Sequence, residues 1–254
     1  MCGALAGPSA QGRSGLFSIL IPLMNEQDNV QPLLAEIYAT LPDAPSFELL
    51  LVDDGSTDET VARVREVQGL YPGLRLIRHQ WRAGKSAALR TGALAARGEW
   101  LVTIDGDRQN DPADIPRLLA ERDRQPDLVL VAGNRRRRDD TLAKRLTSRL
   151  GNGIRRAFLR DACPDTACGL KLIRRDLFLA LPFFDSQHRF LPALVKGRGL
   201  AYANLAINDR ARVAGRSKYT NLGRAAVGLF DLLGVVWLLR RTSVPGAVTE
   251  DGQA

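Results

Sequence analysis

Residues 47–59 read FELLLVDDGSTDE, an apolar run that ends in two aspartates, a glycine and a serine. A run of this kind is typical of a buried β-strand, and the Asp-Gly-Ser turn marks its end. Ser56 and Glu59 have the spacing of a capping box, so the sequence predicts a helix directly after the strand. Together these features predict the start of a βαβ unit.

The same alternation of apolar run and helical segment continues on both sides of this stretch. The predicted strands carry the sequences FSILIP, FELLLVDD, LRLIRH, EWLVTID and DLVLVAG, and the helices between them are predicted at 29–41, 57–69, 86–96 and 114–124. Such alternation predicts an α/β fold with a mainly parallel sheet. Open sheets of this class bind ligands at the carboxyl ends of their strands, where the acidic clusters of this sequence fall.

Composition limits the cellular compartment and the chemical class of the binding partner. The chain has 254 residues, of which 45% are hydrophobic, as expected for one globular domain. Its formal net charge of +8 favours an anionic partner, which could be nucleic acid, a phosphorylated substrate or acidic lipid. Three cysteines and two histidines provide neither a disulfide framework nor a zinc site of the usual kind, which favours a cytoplasmic setting.

An acidic turn follows the predicted fourth strand and carries the strongest chemical signal. Asp105, Asp107 and Gln109 place two carboxylates and an amide at alternate positions. Mg²⁺ and Mn²⁺ prefer such oxygen ligands and often keep substrate phosphates as further ligands, so this turn could bind a divalent ion together with a diphosphate. An isolated DxD sequence is equally compatible with a solvated turn.

Two other predicted strands also end in polar residues. Asp53 and Asp54 could accept hydrogen bonds from a base or a ribose, or could merely belong to a capped turn. The first strand ends at Pro22, Asn25 and Glu26. These groups should meet the acidic turn at one edge of the sheet.

In order and spacing, these segments resemble family 2 glycosyltransferases of the GT-A fold, in the branch similar to dolichyl phosphate mannosyltransferase and bacterial polyprenyl phosphate glycosyltransferases. The matching patterns are P-x-x-NE, DDGS and DxDxQ, and two further segments, DTACGLK at 165–171 and RVAGRSKY at 212–219, resemble the family's D-x-TSGF-[RK] and R-x-x-G-x-SKY. The resemblance extends over roughly 17–240. This sequence departs from the family at Trp81 and Cys168, whose roles stay open.

The resemblance implies a metal-dependent, inverting transfer of a sugar from a GDP- or UDP-linked donor to a polyprenyl phosphate. It makes Asp105, Asp107 and Gln109 ligands of Mg²⁺ or Mn²⁺, and it assigns Arg212 and Lys218 to the diphosphate charge. The residues that it assigns to donor binding are Pro22, Asn25, Glu26, Asp53, Asp54, Gly84 and Lys85. The residues that it assigns to the acceptor phosphate are Arg135, Lys144, Arg145 and Ser148.

Charge patterning supports an anionic acceptor. The segment 141–158 is predicted to be an amphipathic helix with a basic face, and the arginine run 135–138 precedes it. This cationic surface suits a lipid phosphate, although charge runs are usually solvated faces. A phosphomonoester is already largely anionic near neutral pH, so no strong general base is needed. This agrees with the apparent lack of a His-carboxylate pair.

Specific residues decide which alternative functions are kept and which are rejected. A P-loop is rejected because the pattern ending in Gly84-Lys85-Ser86 has His79 where it needs glycine. A GT-A transferase that acts on a carbohydrate hydroxyl stays open and would need a carboxylate base. A basic module that binds nucleic acid is disfavoured because the acidic edge would repel it.

The expected organisation is a loose tail at 1–16, a GT-A catalytic domain at 17–220, an apolar helix at 221–241 and a polar tail at 242–254. No signal peptide and no spanning run of about 18 to 20 apolar residues is predicted. The helix is therefore expected either to lie in an anionic membrane interface or to pack against the domain or a second copy of the chain. A peripheral position on the inner face of the cytoplasmic membrane follows from the first alternative.

Overall fold

The computed structural model describes residues 15–42, 47–135, 153, 155, 158–159, 161–210 and 221–243. The described strands are β1 (Phe17–Leu23), β2 (Phe47–Asp53), β3 (Leu74–Arg78), β4 (Trp100–Thr103), β5 (Leu128–Arg135), β6 (Lys171–Arg174) and β7 (Ala201–Ile207). The described α-helices are α1 (Val30–Thr40), α2 (Thr60–Val67), α3 (Lys85–Ala95), α4 (Ile115–Arg124), α5 (Arg175–Ala180), α6 (Leu191–Gly197) and α7 (Asn221–Arg241). Short 3-10 turns lie at Gln68–Leu70, Pro112–Asp114 and Gln187–Arg189.

The strands form one seven-stranded sheet in the order β3-β2-β1-β4-β6-β5-β7. β1 to β4 pair in parallel, and β5 pairs in parallel with β7. Only β6 runs against its two neighbours, β4 and β5. The start of β6 therefore lies at the edge where the other six strands end.

Helices cover both faces of the sheet. Alternate residues of a strand point to opposite faces, so Ile19 and Leu49 pack with α1, α2 and α4, whereas Leu20 and Leu50 pack with α3, α5, α6 and α7. Burial on both faces explains why the central strands read as continuous apolar runs rather than alternating ones.

Helix α7 has one packed face and one exposed face. Leu232 and Val235 are buried in the core on the α3 side, and Leu239 contacts the backbone of α6 so closely at Gly197 that a side chain there would collide with it. From residue 228 to the end of the helix, the exposed large apolar residues are Leu229, Phe230, Leu233 and Trp237. Within the described part of the chain, none of the helices combines the length and the apolar character needed to cross a bilayer.

The predicted α/β alternation is confirmed for the first five strands and the four helices between them, with one correction at α2. That helix begins at Thr60, and its N-cap residue Glu59 makes no side-chain capping bond, whereas Asp58 Oδ1 accepts a hydrogen bond of 3.0 Å from the Thr60 N–H. The predicted capping box is therefore wrong. Its serine is engaged elsewhere, because Ser56 Oγ accepts a hydrogen bond of 2.9 Å from the backbone N–H of Asn25.

Candidate active site

The predicted polar residues lie at the edge of the sheet where the parallel strands end. The turns after β1, β2, β3 and β4 all lie there, together with the last residues of β5 and β7. The antiparallel strand β6 brings the preceding segment 166–170 to the same edge, since Lys171 pairs with Thr103. Polar groups that are far apart in sequence thus surround one concave edge, as expected for the ligand site of an open α/β sheet.

The acidic turn after β4 contains one residue in the left-handed conformation and one internal hydrogen bond. Arg108 adopts a left-handed conformation with φ of 60°, and Asp107 Oδ1 accepts a hydrogen bond of 3.2 Å from the Gln109 N–H. Gly106 lies against β1, where an added Cβ would come within 2.7 Å of Leu23 Cδ2. Asp105, Asp107 and Gln109 are each partly exposed, so their oxygens remain accessible to a ligand.

Asp105 is surrounded by cations. Lys85 Nζ, at the start of α3, forms an ion pair with its carboxylate. Burial acts to raise the pKa of Asp105, but Lys85, Lys171 and Arg135 together hold the pKa below its usual value. The carboxylate is therefore ionised in the folded protein.

Lys171 is a buried cation to which the sequence analysis gave no role. It is 2% exposed, and its ammonium donates to the carbonyls of Thr166 and Cys168. Burial lowers the pKa of Lys171. Its contacts fix the segment that leads to Gly169, which in turn touches the Asp105 carboxylate so closely that no Cβ would fit between them.

Asp54 holds the loop after β3. Its carboxylate accepts hydrogen bonds of 2.8 Å from the N–H groups of Ala83 and Gly84 and contacts His79 Nδ1 at 2.9 Å. Asp53 is also buried, and its Oδ2 faces Arg78 Nε at 3.6 Å. Donor binding by these two aspartates stays a prediction, and their observed contacts brace the turns of the site.

The His79–Asp54 contact corrects the expectation that the chain lacks a His-carboxylate pair. The second ring nitrogen, Nε2, is 2.9 Å from Thr91 Oγ1, so both nitrogens of His79 are engaged within the protein. The other histidine, His188, lies 2.8 Å from Ser86 Oγ through Nδ1. Burial, together with the cations Lys85, Lys171 and Arg189, lowers the pKa of His188 well below its usual value, so this ring is neutral.

The turns after β1 and β2 are joined by reciprocal hydrogen bonds. The Thr57 N–H donates to Asn25 Oδ1 at 2.9 Å, and the Glu26 N–H donates to Thr60 Oγ1 at 2.8 Å. Pro22 lies in β1, opposite Val52. The pattern P-x-x-NE therefore shapes this part of the edge, and donor contacts by its side chains stay a prediction.

Arg135, at the end of β5, forms a two-pronged ion pair with Asp165. Its Nε and Nη2 donate to the carboxylate at 2.6 and 3.0 Å. Burial opposes the charge of this guanidinium, but the contact with Asp165 raises its pKa further above the usual range. The predicted residues Lys144, Arg145, Ser148, Arg212 and Lys218 lie outside the described residues.

The donor set at the acidic turn fits a hard divalent ion. Among the described residues, no three His, Cys, Asp or Glu side chains are grouped so that they could hold an ion by themselves. Mg²⁺ sites commonly use only one or two carboxylates and complete their shell with substrate phosphates and water. Asp105 and Asp107 with Gln109 offer such a partial set of oxygen ligands.

Two solved structures share this architecture and identify the fold. Glucosyl-3-phosphoglycerate synthase from Mycobacterium tuberculosis, solved with Mn²⁺, UDP and glucosyl-3-phosphoglycerate, matches 92% of this chain and 82% of its own with a TM-score of 0.69 and 23% identity. Mannosyl-3-phosphoglycerate synthase from Rubrobacter xylanophilus matches 94% of this chain and 79% of its own with a TM-score of 0.70 and 20% identity. The fold is that of the GT-A glycosyltransferases, as predicted.

Sequence relatives narrow the class to a family. Residues 18–181 match the family described as Glycosyl transferase family 2. Dodecaprenyl-phosphate galacturonate synthase of Rhizobium johnstonii is 34% identical over 91% of this chain and 69% of its own length. Undecaprenyl-phosphate 4-deoxy-4-formamido-L-arabinose transferase of Edwardsiella ictaluri is 30% identical over 91% of this chain and 71% of its own. The chain belongs to glycosyl transferase family 2 and is an enzyme, which confirms the predicted family and class.

Proposed function

We propose that this enzyme transfers a sugar from a nucleotide diphosphate donor to a polyprenyl phosphate, with inversion at the anomeric carbon. The proposal is carried by one observation: an acidic turn whose oxygens suit a divalent ion lies at the same edge of the sheet as the partly buried cations Lys85 and Arg135. The two relatives described above are named dodecaprenyl-phosphate galacturonate synthase and undecaprenyl-phosphate 4-deoxy-4-formamido-L-arabinose transferase, and each matches 91% of this chain. Transfer from a panel of UDP- and GDP-sugars to undecaprenyl and dolichyl phosphate tests it directly.

A divalent ion is part of the proposal, held by Asp105, Asp107 and Gln109. When bound, Mg²⁺ or Mn²⁺ supplies positive charge that stabilises the departing diphosphate. The chain's own cations add to this field: Lys85 already contacts Asp105, and Arg212 and Lys218 are the predicted partners of the diphosphate. A nucleotide diphosphate is the donor that such a site suits.

The carboxylates at the site favour a phosphate acceptor over a carbohydrate hydroxyl. A hydroxyl acceptor would need a carboxylate base, but three carboxylates at this edge are already engaged. Asp105 pairs with Lys85, and Asp54 accepts hydrogen bonds from the loop after β3. Asp165 pairs with Arg135. A phosphate acceptor carries its own negative charge and needs a cationic pocket instead. Arg135 provides one such cation at the carboxyl end of β5.

Replacing Arg135 by alanine is expected to raise the acceptor KM or to lower kcat about tenfold or more, and to leave donor binding nearly unchanged. A charge-assisted contact to a phosphate is worth roughly 1.5 to 3 kcal/mol, and about 1.4 kcal/mol corresponds to a factor of ten. An arginine has five N–H donors, so the observed pair with Asp165 is compatible with a further contact to phosphate. Steady-state kinetics with varied acceptor, beside a nucleotide titration, measures both effects.

The control for Arg135→Ala must distinguish the loss of a phosphate contact from the loss of the partly buried ion pair with Asp165. Asp165→Asn weakens the same pair while keeping the arginine, so it should disturb folding to a similar degree but should spare the acceptor KM. If Arg135→Ala instead weakened nucleotide binding and left acceptor kinetics intact, Arg135 would belong to the donor site.

Membrane attachment through α7 completes the proposal. The helix leaves Phe230 and Trp237 79% and 64% exposed, in a stripe with Leu229 and Leu233, although its opposite face is packed on the domain. Arg240 and Arg241 end the helix and are exposed. An apolar stripe with arginines at one end suits the interface of an anionic membrane, where a polyprenyl phosphate presents its head group.

We expect the double variant Phe230→Ser, Trp237→Ser to lose most of its binding to phosphatidylglycerol vesicles in flotation. Each aromatic side chain contributes at least about 1.5 kcal/mol when buried, so the affinity should fall about tenfold or more. Binding of the unaltered chain should weaken with salt and should be poor to phosphatidylcholine vesicles. Surface substitutions are preferable to truncation at Tyr219, because truncation would remove the buried residues Leu232 and Val235.

Leu70→Ser is a matched control, since Leu70 is equally exposed but lies on the 3-10 turn beside α2. It should float like the unaltered chain. Equal flotation of the double variant would rule out the α7 face as the anchor. A dimer of the unaltered chain in lipid-free solution that the double variant cannot form would assign the face to a second copy.

A further inference from the structure

Glu36 lies on α1 and contacts two arginines that belong to different parts of the active-site edge. Its Oε1 accepts from Arg108 Nη2, and its Oε2 accepts from Arg210 Nη1 at 2.6 Å. Arg108 lies inside the acidic turn, between Asp107 and Gln109, whereas Arg210 follows β7. One carboxylate thus joins the turn after β4 to the chain that leaves the last strand.

The two segments also contact each other directly. The Arg210 N–H donates to the carbonyl of Gln109 at 2.9 Å, and Arg210 Nη2 forms an ion pair of 2.7 Å with Asp111. An antiparallel bridge between Asn110 and Asp209 adds a further link. The backbone around Gln109 is therefore held from the side of β7.

The conformation of Arg108 shows why the turn needs such support. A φ of 60° is uncommon for a residue with a side chain and costs free energy, so it persists only where surrounding contacts fix it. The ion pair with Glu36 holds the Arg108 guanidinium, and the contacts of Arg210 hold the backbone of Gln109. Without the carboxylate, Arg108 would lose this ion pair, and Arg210 would keep its pair with Asp111 but no longer be tied to Arg108.

We propose that Glu36 is a positioning residue of the transferase. It holds the turn that carries Asp107 and Gln109 in the geometry that the divalent ion requires, and it ties that turn to Arg210 after β7. The inference rests on the proposed metal-dependent transfer, and it extends the site to a helix that carries none of the predicted ligands.

The test is the Mn²⁺ affinity of Glu36→Gln, measured in the presence of UDP or GDP, together with kcat and KM for transfer. Partners that orient metal ligands typically contribute about 10- to 100-fold to metal affinity or activity, and we expect a loss of this size. The loss should appear mainly in Mn²⁺ affinity and kcat, since acceptor contacts are untouched. Glu36→Asp keeps the charge on a shorter side chain and should recover part of the loss.

Glu66→Gln is the matched control, because Glu66 also pairs with an arginine, Arg63, but on the exposed surface of α2. It should behave like the unaltered chain. Unchanged Mn²⁺ affinity and kcat in Glu36→Gln would overturn the inference, and so would a lower melting temperature with unchanged Mn²⁺ affinity, or no measurable Mn²⁺ binding by the unaltered chain. If the unaltered chain binds Mn²⁺ but transfers no sugar, the proposed function fails, and a weaker Mn²⁺ affinity of Glu36→Gln still supports the role of Glu36.

Discussion

Asp107→Ala is expected to abolish metal-dependent sugar transfer while the protein stays folded. Asp107 is partly exposed on the turn after β4 and lies outside the strands, so its replacement should leave the sheet intact. A metal ion typically provides several kcal/mol of charge stabilisation in the transition state, and about 3 kcal/mol already exceeds a hundredfold change in rate. Initial rates at saturating donor and acceptor, with Mn²⁺ varied, measure the effect.

Asp127→Ala provides the control for this variant, because Asp127 is an exposed aspartate in the turn before β5. It should retain full activity. The metal role would be contradicted by undiminished turnover in excess chelator, once dialysis has removed any tightly bound ion.

The first five strands and the four helices between them can be predicted from the sequence, because mainly apolar runs alternate there with helical segments. The last two strands, β6 and β7, have no such local signal. β6 has only four residues, KLIR, and continues directly into the apolar helix α5, so periodicity cannot separate strand from helix there. Its antiparallel direction depends on pairing with β4 and β5, which are distant in sequence.

Some contacts of the site can likewise be predicted from the sequence, whereas others are seen only in the structure. Residues at the ends of β1, β2 and β4 were expected to meet, since parallel strands end at one edge, and the structure places them there. The contacts of Lys85 with Asp105 and of Arg135 with Asp165 were not predicted, because each joins two segments that are distant in sequence. Asp54 is a different case. The DDGS motif identifies this residue, but only the structure reveals that its oxygens contact Ala83, Gly84 and His79.

The antiparallel strand also creates a strict steric requirement at Gly169. The segment before β6 passes so close to Asp105 that a Cβ on residue 169 would collide with its carboxylate. The backbone cannot simply move away, because the buried Thr103 Oγ1 donates a hydrogen bond of 2.6 Å to the Gly169 carbonyl, and Lys171 binds the carbonyl of Cys168. The added methyl group must therefore displace Asp105 or break its ion pair with Lys85.

We expect Gly169→Ala to reduce transfer at least about a hundredfold and to lower the stability only moderately. Overpacking of this kind costs typically about 1 to 3 kcal/mol of folding free energy, whereas a shift of about 1 Å in a group that orients the reactants can cost about a hundredfold in rate. Measuring kcat, Mn²⁺ affinity in the presence of nucleotide and the melting temperature on the same preparation separates the two effects. Gly69→Ala is the control, since an added Cβ there meets no atom within 4 Å. Full activity in Gly169→Ala would mean that Asp105 can move without loss, and its predicted part in metal binding would then pass to Asp107 and Gln109.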